Sequence, residues 1–126
     1  MKKNAFAAVL LTALLGACAS MDGAPMAAKF EAGMLVNSAG MTLYTFDKDA
    51  AGSGKSTCNG PCAVNWPPLR AADADHASGN WSVVVRDDGS KQWSFKGKPL
   101  YLWIKDQKPG DKTGDGVNKV WHVVAQ

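Results

Sequence analysis

The apolar residues of the chain come in short runs that are separated by glycine, asparagine and aspartate. In residues 91–95 the apolar Trp93 and Phe95 lie two positions apart on one face of a strand, and the turn signal Asp87-Asp88-Gly89-Ser90 precedes this run. Similar runs cover residues 34–36, 41–46, 81–86, 99–103 and 120–124. After residue 29 there is room for one helical turn, at 62–66 or 70–77, and no longer helical period. The pattern predicts an all-β fold class, a small antiparallel β domain with hairpin connections.

One ten-residue segment occurs twice. Residues 40–49 and 97–106 align at a constant offset of 57 residues. Glycine, leucine, tyrosine, an aromatic residue, lysine and aspartate occupy the same positions in both copies. Each copy precedes a loop rich in glycine and lysine, and then a tryptophan, Trp66 or Trp121. Two copies indicate a duplicated hairpin unit with pseudo-twofold symmetry rather than a solenoid.

The repeated segment has the pattern Y-x-[FW]-x-x-D. In each copy the tyrosine and the aromatic residue share one face of a strand, and the preceding leucine, Leu43 or Leu100, points to the other face. The aspartate stands where the strand ends, where a carboxylate can accept backbone N–H groups and hold the turn. The motif residues are Tyr44, Phe46, Asp49, Tyr101, Trp103 and Asp106. We interpret them as an aromatic pair with a turn cap, and the alternative is a paired aromatic cradle for a ligand.

These motifs resemble a family of bacterial lipoproteins that is named for a repeated Yx(FWY)xxD motif and is also described as a secreted repeat. The segments Cys58-Asn59-Gly60-Pro61-Cys62-Ala63, Trp66-Pro67-Pro68-Leu69, Gly114-Asp115-Gly116 and Trp121-His122-Val123-Val124 match as well. The resemblance covers roughly residues 33 to 124. It implies a protein anchored in the cell envelope and assigns no activity to it.

The first eighteen residues have the layout of a secretory signal. Lys2 and Lys3 precede an apolar run of 15 residues, counted through Ala19, and a membrane-spanning helix needs about 20. The segment Leu15-Gly16-Ala17-Cys18 resembles a bacterial lipobox, which implies cleavage before Cys18 and diacylglycerol on its sulfur. The alternative is an ordinary signal peptide that contains a cysteine. Several acyl chains would anchor the protein stably, because each buried methylene contributes about 0.8 kcal/mol.

These observations predict three segments. We expect a lipoprotein signal peptide at residues 1–17, the lipidated Cys18 with a flexible tether at 18–29, and the duplicated β domain at 30–126. By resemblance to enterobacterial lipoproteins, an alanine at position 19 favours the outer membrane, on its periplasmic or cell-surface side. The length of 126 residues allows one small domain. The formal net charge of +3 becomes +1 once Lys2 and Lys3 are removed, so a nucleic-acid partner is not expected.

Two cysteines remain beside Cys18. In an oxidising envelope Cys58 and Cys62 are expected to form a disulfide. Their C-x-x-x-C spacing differs from the C-x-x-C of thioredoxin-like proteins, and a redox or metal-binding thiol pair is the alternative.

Other chemical motifs are incomplete. The phosphate-loop pattern at residues 52–57 has Asp49 where a glycine is required. The segment 111–116 resembles the start of a calcium loop, but its twelfth position is His122 rather than glutamate. A calcium site of another kind, from Asp106, Asp111 and Asp115, is a weak alternative to a plain turn. His76 and His122 are the only histidines, and a metal site at either would need at least one further ligand nearby, so a surface or strand position is the expected case. No nucleophile motif of an enzyme is present.

We therefore expect a non-catalytic lipoprotein of the envelope without a cofactor, which binds an envelope protein or a surface polymer such as a polysaccharide. The alternative is a small-ligand or metal-ion binder, for calcium or a transition metal. Its site would use Asp49, Asp106, Asp111 and Asp115, or the motif aromatics. The five tryptophans are expected to fill a core, and any that are exposed would mark a binding surface.

Overall fold

The structure is a computed structural model that describes residues 25–126. The signal peptide at 1–17, the lipidated Cys18 and most of the tether lie outside the described residues. The described elements are β1 (Ala28–Glu31), β2 (Met34–Asn37), β3 (Tyr44–Phe46), α1 (Pro61–Asn65), β4 (Arg70–Ala71), β5 (Trp81–Val85), β6 (Lys91–Phe95), β7 (Lys98–Pro99), a 3₁₀ turn (Val117–Lys119) and β8 (Trp121–Val123). They confirm an antiparallel β fold made of two related units.

Each unit begins with a β-hairpin. In the first unit β1 pairs with β2, and in the second β5 pairs with β6, which also pairs with β4 and β7. The turn that follows each hairpin contains the repeated glycine, Gly40 or Gly97, in the left-handed region at φ 87° and 83°. A β-carbon on Gly97 would lie 2.5 Å from the backbone nitrogen of Gly52. Glycine is thus required there both by the backbone angle and by the close approach of a second chain segment.

Each unit pairs its third strand, the one that carries the tyrosine of the motif, with the other unit. β3 of the first unit pairs with β8 of the second, so that Tyr44 faces Val123. In the second unit Tyr101 forms the corresponding bridge with Pro68 of the first. Tyr44 and Tyr101 also pair with each other through two backbone hydrogen bonds of 2.8 and 2.9 Å. The pseudo-twofold axis therefore passes between the two tyrosines.

The alternation of side chains in the repeated strand separates two cores. Leu43 and Leu100 point into a leucine cluster, whose buried members are Ala28, Leu35, Leu43, Leu69, Trp81, Trp93 and Leu100. Tyr44 and Tyr101 point into an aromatic cluster, whose buried members are Tyr44, Phe46, Cys58, Trp66, Tyr101 and Trp121. The prediction that leucine and tyrosine face opposite sides is confirmed, and the tryptophans divide between the two clusters.

Some boundaries differ from the expectation. β1 includes Ala28 and Lys29, which lie within the predicted tether, because the Ala28 side chain is buried in the leucine cluster. The run at 99–103 forms only the end of β7 and single bridges at Tyr101. Its partner there, Pro68, has no N–H group and cannot extend a ladder. Within residues 25–126 no helix is long and apolar enough to cross a membrane.

Candidate functional site

The tyrosine of each repeat is hydrogen-bonded to the aspartate of the other. The hydroxyl of Tyr44 donates to Oδ2 of Asp106 at 2.6 Å, and the hydroxyl of Tyr101 donates to Oδ2 of Asp49 at 2.5 Å. Both carboxyl groups are buried, with Asp49 only 1% exposed and Asp106 9% exposed. The motif therefore connects the two halves of the molecule.

The second oxygen of each aspartate holds the loop that follows it. Oδ1 of Asp49 accepts bonds from the backbone nitrogen and the hydroxyl of Thr57, at 2.7 and 2.8 Å. Oδ1 of Asp106 accepts the same two bonds from Thr113, at 2.9 and 2.7 Å. The aspartates thus cap loops, as the turn-cap interpretation expects, but the donors lie eight and seven residues downstream. The bond to the tyrosine of the other repeat was not expected from the sequence.

Burial keeps both phenols protonated. It raises the pKa of Tyr44 above its ordinary value of about 10, and the hydrogen bond to Asp106 raises that pKa further. Burial likewise raises the pKa of Tyr101, reinforced by the hydrogen bond to Asp49. A phenolate beside a carboxylate would place two negative charges in the core. The two tyrosines therefore act as hydrogen-bond donors at ordinary pH.

Arg86 is a central residue that no motif in the sequence indicates. It is only 5% exposed, and its guanidinium donates to the Ser56 hydroxyl, the Gln92 side chain, the Cys58 carbonyl and the Asn59 side chain at 2.6 to 3.2 Å. The Ser56 hydroxyl in turn lies 2.6 Å from the hydroxyl of Tyr101. In the sequence Arg86 directly precedes an aspartate-rich turn, where an exposed arginine is the usual case. No periodic signal distinguishes it.

Four aromatic rings form a continuous stack beside the tyrosines. In order they are Phe46, Trp121, Trp66 and Trp103, and we call them the aromatic stack. Their centroid distances are 4.2, 3.7 and 3.9 Å, with interplanar angles of 13°, 4° and 27°. Tyr44 contacts Trp66 edge to face at 5.4 Å, and Tyr101 contacts Trp121 in the same way at 5.1 Å. The two repeats contribute equivalent rings, so the stack follows the pseudo-twofold symmetry.

A surface pocket opens on one edge of the stack. This tryptophan pocket has a volume of about 440 Å³ and is lined by Phe46, Lys48, Cys62, Asn65, Trp66, Asn118, Val120 and Trp121. Asn118 and the adjacent Lys119 both have left-handed backbone angles, with φ of 52° and 63°. Such angles are costly for residues other than glycine, and they tend to occur at functional sites. The pocket combines apolar walls with a few polar groups, as small binding sites generally do.

One of the two cysteines, Cys62, lines this pocket. Cys58 and Cys62 form a disulfide, in agreement with the expected pairing. Cys58 is fully buried in the aromatic cluster, and Cys62 packs against the same cluster from α1. The disulfide therefore ties α1, which carries the pocket residues Cys62 and Asn65, to the aromatic cluster.

The carboxylates proposed for a metal site are engaged separately. Asp106 is bound to Tyr44 and Thr113, as described above. Asp111 accepts bonds from the backbone of Gln107 and Lys108 and from the Lys108 ammonium group, whose contact lowers the pKa of Asp111. Asp115 accepts the backbone N–H of Val123 at 3.1 Å. Among the described residues no group of three histidine, cysteine, aspartate or glutamate side chains is placed to hold a metal ion.

The histidines lie apart from the motif. His122 contacts the exposed Asp47 at 2.9 Å through Nε2. His76 is exposed, and its Nδ1 lies 3.2 Å from the carbonyl oxygen of Ala74 in its own loop. Among residues 25–126, neither histidine forms a hydrogen bond with a residue of the two tyrosine–aspartate pairs.

The sequence of the chain matches a family described as a secreted repeat of unknown function, over residues 27–70 and again over residues 82–125. The chain belongs to this family. The first matched copy of the secreted repeat contains β1 to β3 and α1, and the second contains most of β5 together with β6, β7, the 3₁₀ turn and β8. Each copy therefore includes one tyrosine and one aspartate of the exchanged pairs. No protein of curated function and no solved structure is significantly similar to the chain.

Proposed function

We propose that this secreted repeat protein is a non-catalytic binding module of the outer membrane, anchored through lipid on Cys18. We propose further that it takes a segment of a surface polymer into the tryptophan pocket. The observation that carries this proposal is the pocket itself, which lies on the edge of a rigid aromatic stack. The membership in a secreted family supports an envelope location.

The chemistry of the pocket suits a polysaccharide. Trp66 and Trp121 lie at the base of the pocket and are only 4% and 2% exposed, so the partly buried Cys62 and Val120 offer most of the apolar surface against which the carbon face of a sugar can pack. The side-chain amides of Asn65 and Asn118 offer donors and acceptors for sugar hydroxyls. Lys48 adds one positive charge, which favours a polymer with acidic groups.

The state of the motif residues supports a role without catalysis. Each buried aspartate of the motif accepts three hydrogen bonds from groups within the protein. These bonds hold the two repeats together, and they commit each carboxylate to partners within the protein. The pairs are thus best explained as the rigid support on which the pocket is built.

Tryptophan fluorescence tests the proposal directly, because two of the rings line the pocket. Purified residues 19–126 would be titrated with lipopolysaccharide, capsular polysaccharide and soluble peptidoglycan fragments, and calorimetry would supply the affinity. Asn118→Gly removes the amide and retains the left-handed backbone, and Lys48→Ala removes the charge. We expect each substitution to weaken binding of the polymer several-fold. Lys55→Ala is the matched control, since Lys55 is exposed and does not line the pocket.

The outcomes separate the alternatives. A fluorescence change that is lost in the Asn118 and Lys48 variants supports polymer binding in this pocket. If none of the three polymers binds, the proposal that the pocket binds a surface polymer is wrong, and a protein partner or a small ligand becomes the candidate. The anchor is tested independently with Cys18→Ser, which should move the protein from the membrane fraction to the soluble fraction and remove the acyl mass from its N-terminal peptide.

A further inference from the structure

Both tyrosines of the chain belong to the exchanged pairs, since the sequence contains only two. A phenol that loses one electron becomes strongly acidic and gives up its proton at once. Each phenol here already donates to a buried carboxylate at 2.5 or 2.6 Å. The acceptor for that proton is therefore in position before any oxidation takes place.

The aromatic stack connects the tyrosines to the surface. Tyr44 and Tyr101 contact the two central rings of the stack, Trp66 and Trp121. Trp66 continues to Trp103, which is only partly buried, at a centroid distance of 3.9 Å. Indole and phenol are the two aromatic side chains that lose an electron most readily. An unbroken series of ring contacts therefore leads from solvent to each tyrosine–aspartate pair.

We propose that this assembly reduces oxygen-centred radicals by one electron, with peroxyl radicals as the substrate class. The aromatic stack and a tyrosine supply the electron, so the protein itself is oxidised. A peroxyl radical accepts one electron through Trp103 and becomes a hydroperoxide anion, which takes a proton from water. The electron deficit passes along the stack to Tyr44 or Tyr101. The phenolic O–H bond breaks, its proton forms a new O–H bond on Asp106 or Asp49, and a neutral tyrosyl radical remains. The proposal is independent of polymer binding in the tryptophan pocket.

The leucine cluster contains an internal comparison. Trp81 and Trp93 contact each other there edge to face at a centroid distance of 6.2 Å, and that cluster contains no tyrosine. When this pair loses an electron, no adjacent phenol and carboxylate can stabilise the tryptophan radical that remains. The proposal therefore requires that oxidation collect on the tyrosines of the aromatic cluster and not on the tryptophans generally.

Flash photolysis of the disulfide-intact protein with a ruthenium tris-bipyridine sensitiser and a cobalt(III) ammine quencher tests the pathway. We expect a tryptophanyl radical that decays as a tyrosyl radical appears, identified by transient absorption and electron paramagnetic resonance. The rate of tyrosyl formation should fall in deuterium oxide and should not depend on buffer concentration, because the proton acceptor is internal. A rate that rises in proportion to buffer base would overturn the proposal, as would the absence of a tyrosyl radical.

Variants identify the acceptor. Asp49→Asn and Asp106→Asn keep the shape of the side chain and can still accept a hydrogen bond, but the amide does not take the proton. The double variant should lose the tyrosyl signal and retain the tryptophanyl signal. An unchanged tyrosyl yield in a folded double variant contradicts the proposal. If the double variant does not fold, the buffer and isotope measurements on the unmodified protein decide.

The substrate class has its own test. Peroxyl radicals from a water-soluble azo initiator should be consumed faster by the unmodified protein than by Trp103→Phe. Phenylalanine occurs at the equivalent position of the first repeat, Phe46, so this variant retains a ring in the stack. As a matched control, Trp81→Phe should leave the rate unchanged. Equal loss of rate in both variants shows unselective tryptophan oxidation and overturns the proposal.

Discussion

The two tyrosine–aspartate pairs share a geometry but differ in their surroundings. The hydroxyl of Tyr101 contacts Ser56, which is bound to the buried Arg86. The hydroxyl of Tyr44 instead accepts the backbone N–H of Gly114 at 3.2 Å. One pair is thus embedded in a charged side-chain network, and the other is closed by the main chain.

Packing explains why the second arrangement uses a glycine. A β-carbon at Gly114 would lie 2.8 Å from the ring of Trp66 and 2.9 Å from that of Trp103. Around Tyr101 the corresponding space is filled by the Ser56 side chain, which is 6% exposed. The comparison shows that the exchanged hydrogen bond defines the repeat, whereas its neighbours differ between the copies according to the local space.

The largest expected effect concerns the network that only one pair has. Arg86→Met removes the guanidinium and leaves four acceptor groups without their donor. Unsatisfied buried polar groups cost roughly 1–3 kcal/mol each, with partial relief from water, so we expect a loss of about 3 kcal/mol or more. Urea unfolding measures it. Arg70→Met is the matched control, because Arg70 is exposed, and it should stay within about 0.5 kcal/mol. A small loss in both variants would mean that the network contributes little.

The tyrosine substitutions test the pairs themselves. Tyr101→Phe deprives a carboxylate that is 1% exposed of one donor and also leaves Ser56 without its contact to the phenol. Tyr44→Phe affects Asp106, which is 9% exposed. Hydrogen bonds to charged groups contribute about 1.5–3 kcal/mol, so both variants lose stability and Tyr101→Phe loses more. Equal losses in denaturant unfolding would show that the Arg86 network does not strengthen its pair.

The disulfide is a second feature of the first repeat alone. Reduction releases a loop of only five residues, from Cys58 to Cys62, and the chain-entropy relation gives about 2 kcal/mol. Thermal unfolding with and without reductant measures this loss. A Cys58→Ala, Cys62→Ala double variant should match the reduced protein and be insensitive to reductant. If reductant still lowers its stability, the effect does not come from this bond.

The smallest effect appears only in alkali. The pKa of each tyrosine is raised in the folded state above the value of about 10 of an unfolded chain. Each pair therefore contributes stability fully below about pH 10 and loses it as the pH rises through the folded pKa. With Tyr44→Phe and Tyr101→Phe, phenolate absorbance reports one tyrosine at a time. We expect no phenolate near pH 10 while the protein remains folded, and ordinary titration there would contradict the buried hydrogen bonds.

Several features of the site could be predicted because they depend on local periodicity. The repeat of Tyr44 and Tyr101 was visible from the offset, and the opposite orientation of the neighbouring leucines follows from the two-residue period of a strand. The cysteine pairing follows from their short separation. The burial of Arg86 could not be predicted in this way, since its acceptors come from a loop about 30 residues away and from the next strand.

The sequence by itself determined the strand pattern, the duplication and the family to which the chain belongs, because all three are recorded in residue spacing. Only the tertiary structure decided that each tyrosine meets the aspartate of the other repeat, 62 and 52 residues away. Spacing is equally consistent with bonds inside one repeat. The exchange of third strands excludes those bonds, because it places each phenol beside the loop of the other copy. The same exchange builds the aromatic stack and its pocket from rings of both halves.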